Sequence, residues 1–321
     1  MIVEVVPGIA ELDAAEWNEL NSGNYPFLSH EFLHAAEATS CVSAANGWKP
    51  CHLVIRDKNG LLEAAMPLYE KSHSFGEFVF DWAWARAYEQ AGFAYYPKLV
   101  SAAPFTPAGS HRLLCTPAAA ATAPAALLAR ALQLADERGL SSLHVQFPHP
   151  DELPALQSAG LQLRKDCQFH WHNRGYRSFD EFLQQFSARK RKKARRDRRS
   201  VAEQGIRFRR LGGTQIDREL WQDIYQLISR TFFLRGSAPY LNLDFFLAFA
   251  ERLPDRILVI LAECDSSAVA AAVFFVGDDT LYGRYWGSNG HYDALHFETC
   301  YYQGIELAID LNLQTFDAGA Q

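Results

Sequence analysis

The sequence contains no long hydrophobic run, and its composition is not extreme. The longest uncharged apolar stretch is Ala268–Gly277, about half of what a membrane span requires. Apolar residues make up 49% of the 321 residues and charged residues 21%, which excludes disordered and collagen-like chains. No basic segment followed by an apolar run begins the sequence, so no secretory signal is expected. We therefore expect a globular, cytoplasmic protein.

The six cysteines lie far apart, and no Cys-x-x-Cys pair occurs. This spacing is typical of buried or incidental thiols in a reducing compartment. One zinc-protease pattern is present, His30-Glu-Phe-Leu-His34, but Ser29 is a plausible cap that would place His30 in the first turn of its helix. Such chemistry also needs a third ligand downstream. We therefore predict no metal site.

The same order of predicted elements occurs twice: two helices, a strand meander, a helix and a returning strand. The helices are predicted at 13–20, 29–38, 124–138, 218–233, 243–252 and 298–311, and the strands at 52–56, 61–69, 142–147, 257–263, 269–276, 280–286 and 315–318. The first copy continues with a helix at 151–159 and a strand at 161–171, which have no counterpart before Gln321. The pattern predicts a duplicated α/β unit, with domains at 1–177 and 178–321 and a second copy that lacks its last strands.

One basic segment contrasts with an acidic remainder. Arg189–Arg199 carries a local charge of +8, whereas the whole chain carries −6. Helical spacing of phenylalanines after Ser178, a plausible N-cap, predicts one long helix over 178–204 that opens the second domain. The cations form either a solvated helix face or a phosphate-binding surface for tRNA or a nucleotide-linked precursor. The candidate phosphate-binding residues are Arg189, Lys190, Lys192, Lys193, Arg195 and Arg196.

Two aromatic clusters stand out, Phe78–Tyr96 with eight aromatic residues and Tyr282–Tyr302 with seven. They are either core packing or the walls of a small-molecule cleft, which typically combine aromatic side chains with a few polar groups. Polar residues accompany both clusters, and we expect the two clusters to line one cleft between the domains. The candidate substrate-binding residues of the first cluster are His73, Asp81, Tyr96 and Lys98.

The second cluster has the order strand, glycine-containing loop and helix. The strand ends at Trp286, Gly287 and Gly290 follow, and the helix begins near Phe297. Glycine allows a ligand to approach the backbone, and a helix amino terminus favours an anion. The segment is therefore a plausible site for a phosphate-bearing group, although glycine loops before helices are common.

Several blocks together resemble the FemAB-like family of the GNAT (acyl-CoA N-acyltransferase) superfamily, which is associated with peptidoglycan biosynthesis or recognition. The blocks are Pro26–Leu33, Lys71–Trp84, Tyr95–Leu99, Pro104–Pro107, Gln168–Asn173, Arg189–Lys192, Leu281–Gly287 and Leu295–Gln303. The resemblance implies two GNAT-like domains in tandem, with mixed sheets flanked by helices. It also implies a transfer reaction in which either an acyl-CoA or an aminoacyl-tRNA is the donor.

The resemblance implies where the donor would bind. In GNAT enzymes the strand before the loop holds the pantetheine arm, and amides at the next helix hold the pyrophosphate. The implied donor-binding positions here are Tyr285, Trp286, Gly287 and the Ser288–His296 loop, which includes Gly290. Arg284, a polar residue of the second aromatic cluster, is a further candidate for substrate binding. Ser288–Asp293 differs from the usual acetyl-CoA loop because it has one glycine and an aspartate that would repel a pyrophosphate.

Acyl transfer to an amine needs a base for the ammonium proton and an acid for the leaving group. Glu298 and His296 are the candidate bases, and Tyr285 and Tyr301 are the candidate acids. Glu298 also has a purely structural interpretation, because an acid in a helix's first turn stabilises the helix dipole. We predict an acyl- or aminoacyltransferase acting on an amine, with a cell-wall precursor as the candidate acceptor. The alternative is a non-catalytic protein that binds such a precursor or RNA.

Overall fold

The computed structural model describes residues 2–319, which form two compact units; the first ends at Asp166 and the second begins at Cys167. The second unit thus begins ahead of the expected start at residue 178. The reason is the short strand His170–His172, which pairs with the second unit's sheet. Each unit combines helices with sheet that is mostly antiparallel and contains one parallel pair.

The first unit contains two four-stranded sheets in the order β1-β3-β4-β7 and β2-β5-β6-β8. Its strands are β1 (Glu4–Val6), β2 (Trp48–Pro50), β3 (His52–Arg56), β4 (Leu62–Met66), β5 (Tyr69–Lys71), β6 (Lys98–Ser101), β7 (Leu114–Cys115) and β8 (Leu143–Val145). Its helices are α1 (Ala14–Leu20), α2 (His30–Ala38), α3 (Trp82–Gln90), α4 (Ala123–Glu137) and α5 (Leu153–Ser158). Helix α4 packs its apolar face, which includes Leu127, Leu128 and Leu134, against β3 and β4. This face follows the 3.6-residue period and belongs to an aliphatic core cluster of the unit.

The second unit contains one six-stranded sheet in the order β10-β11-β12-β13-β14-β9. Its strands are β9 (His170–His172), β10 (Arg207–Gly212), β11 (Ile257–Cys264), β12 (Ser267–Val276), β13 (Thr280–Ser288) and β14 (Thr315–Asp317). Its helices are α6 (Phe179–Leu183), α7 (Ala188–Glu203), α8 (Arg218–Leu234), α9 (Leu243–Arg252) and α10 (Gln303–Asp310), and a π-helical turn at Phe297–Tyr302 precedes α10. β11 and β12 are buried almost throughout, in agreement with their continuous apolar sequence.

The two units share a chain path, and the tandem α/β fold with mixed, helix-flanked sheets is confirmed. In the first unit, β6 pairs in parallel with β8 and α4 lies between them in sequence. In the second, β13 pairs in parallel with β14 and α10 lies between them. A parallel pair needs such a crossover connection, which a helix usually provides.

Two sequence predictions are corrected by the structure. The strand expected at 161–171 is wrong: only 170–172 are extended as a strand, and they extend the second sheet rather than the first. The continuous helix expected over 178–204 is divided into α6 and α7. The division has a local cause, because Ser187 leaves the helical conformation and its hydroxyl accepts a hydrogen bond from the amide of Lys190, capping a new helix.

Candidate active site

In the second sheet, β13 extends beyond its parallel neighbour. It pairs with β12 up to Ser288, whereas its ladder with β14 covers only Thr280–Tyr282. The register with β12 shifts between Val273 and Phe274, so Arg284 is the extra residue of a β-bulge. Among residues 2–319, no strand continues the β14 ladder past Tyr282. Bulges of this kind are common beside active sites, where they redirect side chains.

After the loop that follows β13, the chain enters the π-helical turn Phe297–Tyr302. π-helical turns are rare and are found frequently at functional sites. Here the turn carries Glu298 and Tyr301 and is preceded directly by His296. A helix therefore begins near Phe297 as predicted, but its first turn is π-helical. The spacing of the apolar residues did not indicate this helix type.

His296 lies among aromatic rings contributed by both sides of the loop. Its ring centroid is 5.2 Å from that of Trp286 and 5.8 Å from that of Tyr301. Its side chain is nevertheless among the exposed ones. The protein partly desolvates the imidazole, which lowers the pKa of His296, and the positive charge of Arg235 lowers it further. The imidazole is therefore neutral near pH 7 and able to accept a proton.

Tyr285 does not belong to this aromatic group. Its ring contacts those of Phe246 and Phe232, at centroid distances of 5.5 and 6.3 Å. Consecutive residues of a strand point to opposite faces of the sheet, and Trp286 occupies the other face. The structure thus brings Trp286, His296 and Tyr301 together and places Tyr285 against α8 and α9.

The glycines of the loop have different surroundings. A Cβ atom at Gly287 would overlap the backbone of Leu227 and Ile228 in α8, so this glycine is explained by close helix–strand packing. A Cβ atom at Gly290 would meet only the ring of Tyr292, at 3.3 Å. The Ser288 hydroxyl donates a hydrogen bond to the Gly290 carbonyl at 2.9 Å, which closes the turn.

Glu298 is buried and forms an ion pair with the helix that carries the basic run. Its Oε1 lies 3.1 Å from the guanidinium of Arg198 and accepts a hydrogen bond from Gln303 at 2.8 Å. Its Oε2 has no hydrogen-bond partner among the described residues. Burial raises the pKa of Glu298, although the bond from Gln303 and the charge of Arg198 oppose that rise. Arg198 also binds Glu306 at 2.6 Å, so Glu298 lies within a charged network that holds α7 against α10.

Helix α7, called here the basic helix, carries nine cations. Most of them fall into two groups, and the partly buried Arg191 instead contacts the Phe186 carbonyl. Several have acidic partners on the protein: Lys193 and Arg196 bind Asp197, and Arg195 binds Asp180. Four exposed cations have no acidic partner among residues 2–319, and these are Arg189, Lys190, Lys192 and Arg199. Ala194, Asp197 and Val201 form the buried face of the helix.

The first unit contains a buried polar cluster, which we call the lysine–acid cluster: Lys71, Ser74, Glu77, Asp81, Tyr95, Tyr96, Lys98 and Gln146. The Lys98 ammonium lies 2.9 Å from Glu77 Oε2, 2.5 Å from Asp81 Oδ2 and 2.9 Å from Ser74 Oγ. The Tyr95 hydroxyl donates to the same Asp81 oxygen at 2.6 Å. Burial acts to raise the pKa of Asp81, but these hydrogen bonds outweigh it and lower the pKa to about 2.

The structure brings Asp81, Tyr96 and Lys98 together, but Asp81 and Lys98 are buried within the first unit rather than exposed on a cleft wall. The Tyr96 hydroxyl is 2.8 Å from Ser74 Oγ, which also contacts Lys98. His73 lies apart from them: its Nδ1 accepts a hydrogen bond from the Phe75 amide, and its ring packs against that of Phe75. Burial, followed by the charge of Lys71, lowers the pKa of His73.

The sequence reasoning missed Lys71, Glu77 and Gln146 as members of the cluster. Gln146 donates to Glu77 Oε2 at 2.6 Å, across 69 residues of chain. A signal was available for Lys98, because it directly precedes the apolar Leu99-Val100, whereas Glu70 separates Lys71 from Leu68-Tyr69. A lysine within such a strand is rarely buried without a partner.

The sequence model of the FemAB-like family, described as peptidoglycan biosynthesis or recognition, matches residues 8–321. The chain belongs to the FemAB-like family. This FemAB-like protein is similar in structure to FemX, with a TM-score of 0.55 and 13% identity over 97% of this chain and 88% of that one. No curated protein sequence matches it.

Two further solved structures resemble the FemAB-like protein. The carboxyl-terminal domain of an Agrobacterium fabrum protein named as a lysylphosphatidylglycerol synthetase gives a TM-score of 0.57, with 12% identity over 97% of this chain and 79% of that one. L-PGS from Bacillus licheniformis gives 0.52, with 12% identity over 92% of this chain and 76% of that one. At such identities the likeness shows the fold.

Within residues 2–319, no helix is long and apolar enough to cross a membrane. The described residues also contain no group of three or more metal-binding side chains. In the pattern around His30, the ring Nε2 lies 3.1 Å from the carbonyl oxygens of both Ile9 and Leu12. These carbonyls surround Nε2, whereas Nδ1 has no hydrogen-bond partner among the described residues.

Proposed function

We propose that the protein transfers an acyl or aminoacyl group to an amine, within cell-wall precursor metabolism. The observation that carries the proposal is the strand–loop–helix segment of the second unit, in which β13 extends beyond β14 and leads to His296 and the π-helical turn. Family membership and the likeness to FemX support the same reaction class. The donor is an acyl-CoA or an aminoacyl-tRNA.

The reaction requires one proton acceptor and one proton donor. The ammonium of the acceptor loses a proton to His296, and its nitrogen attacks the acyl carbonyl carbon. The new C–N bond forms as the bond to the donor's sulfur or ribose oxygen breaks, and the leaving atom takes a proton from Tyr301. The attacking nitrogen gives its second proton to the Tyr301 oxygen, which leaves a neutral amide, and His296 releases its proton to solvent. His296 fits the base better than Glu298, because His296 is exposed and neutral whereas Glu298 is buried and ion-paired.

Asp293 bears on the choice of donor. It lies in the loop before the helix, is exposed, and its Oδ2 accepts a hydrogen bond from Ser200 at 3.4 Å. A carboxylate at this place opposes a pyrophosphate at the helix start. The basic helix, in contrast, offers cations for the backbone of a tRNA. We therefore favour aminoacyl-tRNA over acyl-CoA as the donor.

A transfer assay tests the proposal. Purified protein is given radiolabelled aminoacyl-tRNA or acetyl-CoA together with UDP-linked muropeptides, and the labelled product is separated by chromatography. We expect label transfer from aminoacyl-tRNA. His296→Ala should lower kcat/KM by about 10²-fold or more. The matched control is His172→Ala, an exposed histidine on β9 outside the loop, which should retain activity.

The alternative function is binding without turnover. The unpaired cations of the basic helix favour RNA as the ligand in this case, because contacts to phosphates require no catalysed reaction. Absence of transfer from both donors, together with thermal stabilisation by tRNA or a muropeptide, would establish it. A ligand at 100 times its Kd stabilises the folded state by about 2.7 kcal/mol, which a thermal shift resolves.

A further inference from the structure

The π-helical turn Phe297–Tyr302 aligns residues that are five apart in the sequence. The amide of Gln303 donates to the carbonyl oxygen of Glu298, a spacing of five residues instead of the four of an α-helix. His296 and Tyr301 have the same spacing, and their ring centroids lie 5.8 Å apart. In an α-helix, two residues five apart would be separated by about 140° around the axis and would point in different directions. The π-helical turn therefore brings these two rings together.

A side-chain hydrogen bond closes the same turn. Besides its backbone bond, Gln303 donates from its side-chain Nε2 to Glu298 Oε1 at 2.8 Å. Both residues are buried, so water does not compete for this bond. Because the bond joins side chains that are five residues apart, it favours the π-helical turn over an α-helical one.

A second contact to Glu298 comes from Arg198 on the basic helix. The Arg198 guanidinium lies 3.1 Å from Glu298 Oε1 and donates two hydrogen bonds to Glu306, at 2.6 and 3.1 Å. It also lies 4.8 Å from the centre of the Phe179 ring. These contacts hold the guanidinium in one place. Arg198 therefore ties the π-helical turn to a helix that lies far away in the sequence.

The energetic cost of this arrangement indicates a role beyond stability. A buried ion pair loses the hydration of both charges and often contributes no more net stability than apolar residues of the same volume. Glu298 Oε2 has no hydrogen-bond partner among the described residues, which adds to the cost. In some proteins buried ionic groups are retained because they select one conformation. Here the selected conformation is the π-helical turn.

Loss of the turn would separate the two groups that exchange protons with the substrate. If the turn became α-helical, Tyr301 would rotate away from His296 around the helix axis. Proton transfer requires heavy atoms about 2.6–3.2 Å apart, so both side chains must reach the same substrate at once. Relaxation of the turn should therefore slow the chemical step more than it weakens substrate binding.

We propose that Glu298 and Gln303 are positioning residues that hold the π-helical turn. Through the turn they keep His296 and Tyr301 side by side, and Arg198 anchors Glu298. The roles of His296 and Tyr301 rest on the proposed function, whereas the geometry of the turn does not depend on it. Glu298 then needs no proton exchange with the substrate, in agreement with its burial.

Nuclear magnetic resonance tests the geometry without any activity assay. Protein with ¹³C-labelled histidine and tyrosine should give a nuclear Overhauser cross-peak between the rings of His296 and Tyr301. We expect Glu298→Ala to abolish this cross-peak. Gln303→Ala should abolish it as well, and this milder variant leaves the ion pair of Glu298 intact. The matched control is Glu306→Gln, which alters the same charged network outside the turn and should retain the cross-peak. Persistence of the cross-peak in both alanine variants would overturn the proposal.

Kinetics separate a positioning role from base catalysis. Glu298→Gln keeps an oxygen that can bind Gln303 and Arg198 but cannot act as a base, so it should retain most of kcat and the cross-peak. Glu298→Ala should lower kcat by about 10²-fold with little change in KM, because it misplaces the reacting groups. If Glu298→Gln is as inactive as Glu298→Ala while its cross-peak persists, Glu298 is a base and the positioning role is wrong. If no variant and no wild-type protein transfers label, the proposed function fails, and the cross-peak still decides what holds the turn.

Discussion

Lys71 and Lys98 lie directly opposite each other on the antiparallel strands β5 and β6, and both side chains are fully buried. Directly opposed like charges destabilise a sheet. The pair persists because Glu77 and Asp81 compensate Lys98 and because Lys71 lies against the Trp48 ring. The two lysines therefore differ in their surroundings, and their titration should differ as well.

The first prediction concerns pH and stability. The pKa of Lys71 is lowered by burial to about 7, whereas an unfolded lysine titrates near 10.4. Between these two pKa values the unfolded state binds more protons than the folded state. The cost of burying a charged Lys71, which is present in full below pH 7, is therefore relieved as the pH rises. The free energy of unfolding, measured in urea from pH 6 to 9, should rise with pH in the wild type relative to Lys71→Met. Parallel curves for the two proteins would contradict this.

The second prediction concerns the buried ion pair between Arg198 and Glu298. Arg198→Met leaves a buried carboxylate unpaired and should cost about 3 kcal/mol of unfolding free energy. Burial raises the pKa of Glu298, so the folded variant keeps the Glu298 proton to a higher pH than the unfolded chain does. The free energy of unfolding of the variant should therefore fall as the pH rises from 4 to 8. Chemical denaturation at each pH measures both effects.

Two controls accompany that measurement. Adding Glu298→Gln to Arg198→Met should recover part of the loss, because no charge is then buried alone. Arg209→Met breaks an exposed pair with Glu263 and should cost less than about 1 kcal/mol. If Arg198→Met and Arg209→Met cost the same, the network around Glu298 does not stabilise the fold.

The third prediction concerns close packing at β13. Gly287→Ala should destabilise the protein by about 3 kcal/mol or more, because the new methyl group overlaps the backbone of α8 and neither element can move freely. Gly290→Ala is the matched control in the loop after β13, since the neighbour of Gly290 is only the Tyr292 ring. The thermal unfolding midpoints of the two variants measure this difference. Equal midpoints would show that α8 and β13 are less tightly packed than described.

The fourth prediction concerns the basic helix. Binding of tRNA should weaken with salt, with a log–log slope of about −0.7 to −0.9 for each phosphate neutralised. Reversal of the unpaired cations should reduce that slope and the affinity while stability changes little, because exposed charges contribute little to folding. The variant carries Arg189→Glu, Lys192→Glu and Arg199→Glu, and filter binding at several salt concentrations measures it.

A charge-matched control distinguishes a surface from net charge. Three exposed cations outside the basic helix are reversed together, and these are Lys165, Arg174 and Arg207. If both triple variants lose affinity equally, the effect is one of net charge. If neither loses affinity, the basic helix is a solvated face and the RNA partner is abandoned.

Local sequence patterns were sufficient for most helices and long strands. Helix α9 follows from apolar periodicity, and strands β11 and β12 follow from long apolar runs. Short elements were missed, among them α3 and β10, because neither has an uninterrupted apolar face to mark it. The strand at 161–171 was misassigned because its pairing partner, β14, lies more than 140 residues away in sequence.

The sequence by itself determined the duplicated α/β organisation, the family, the basic run and the two aromatic–polar clusters, because each of these is a local or repeated pattern of residue types. Only the tertiary structure decided which polar residues meet. Gln146 reaches Glu77, Arg198 reaches Glu298, and Trp286 rather than Tyr285 faces His296. These pairings depend on strand register, on a β-bulge and on helix packing, which act between segments far apart in the chain and leave no local trace in it.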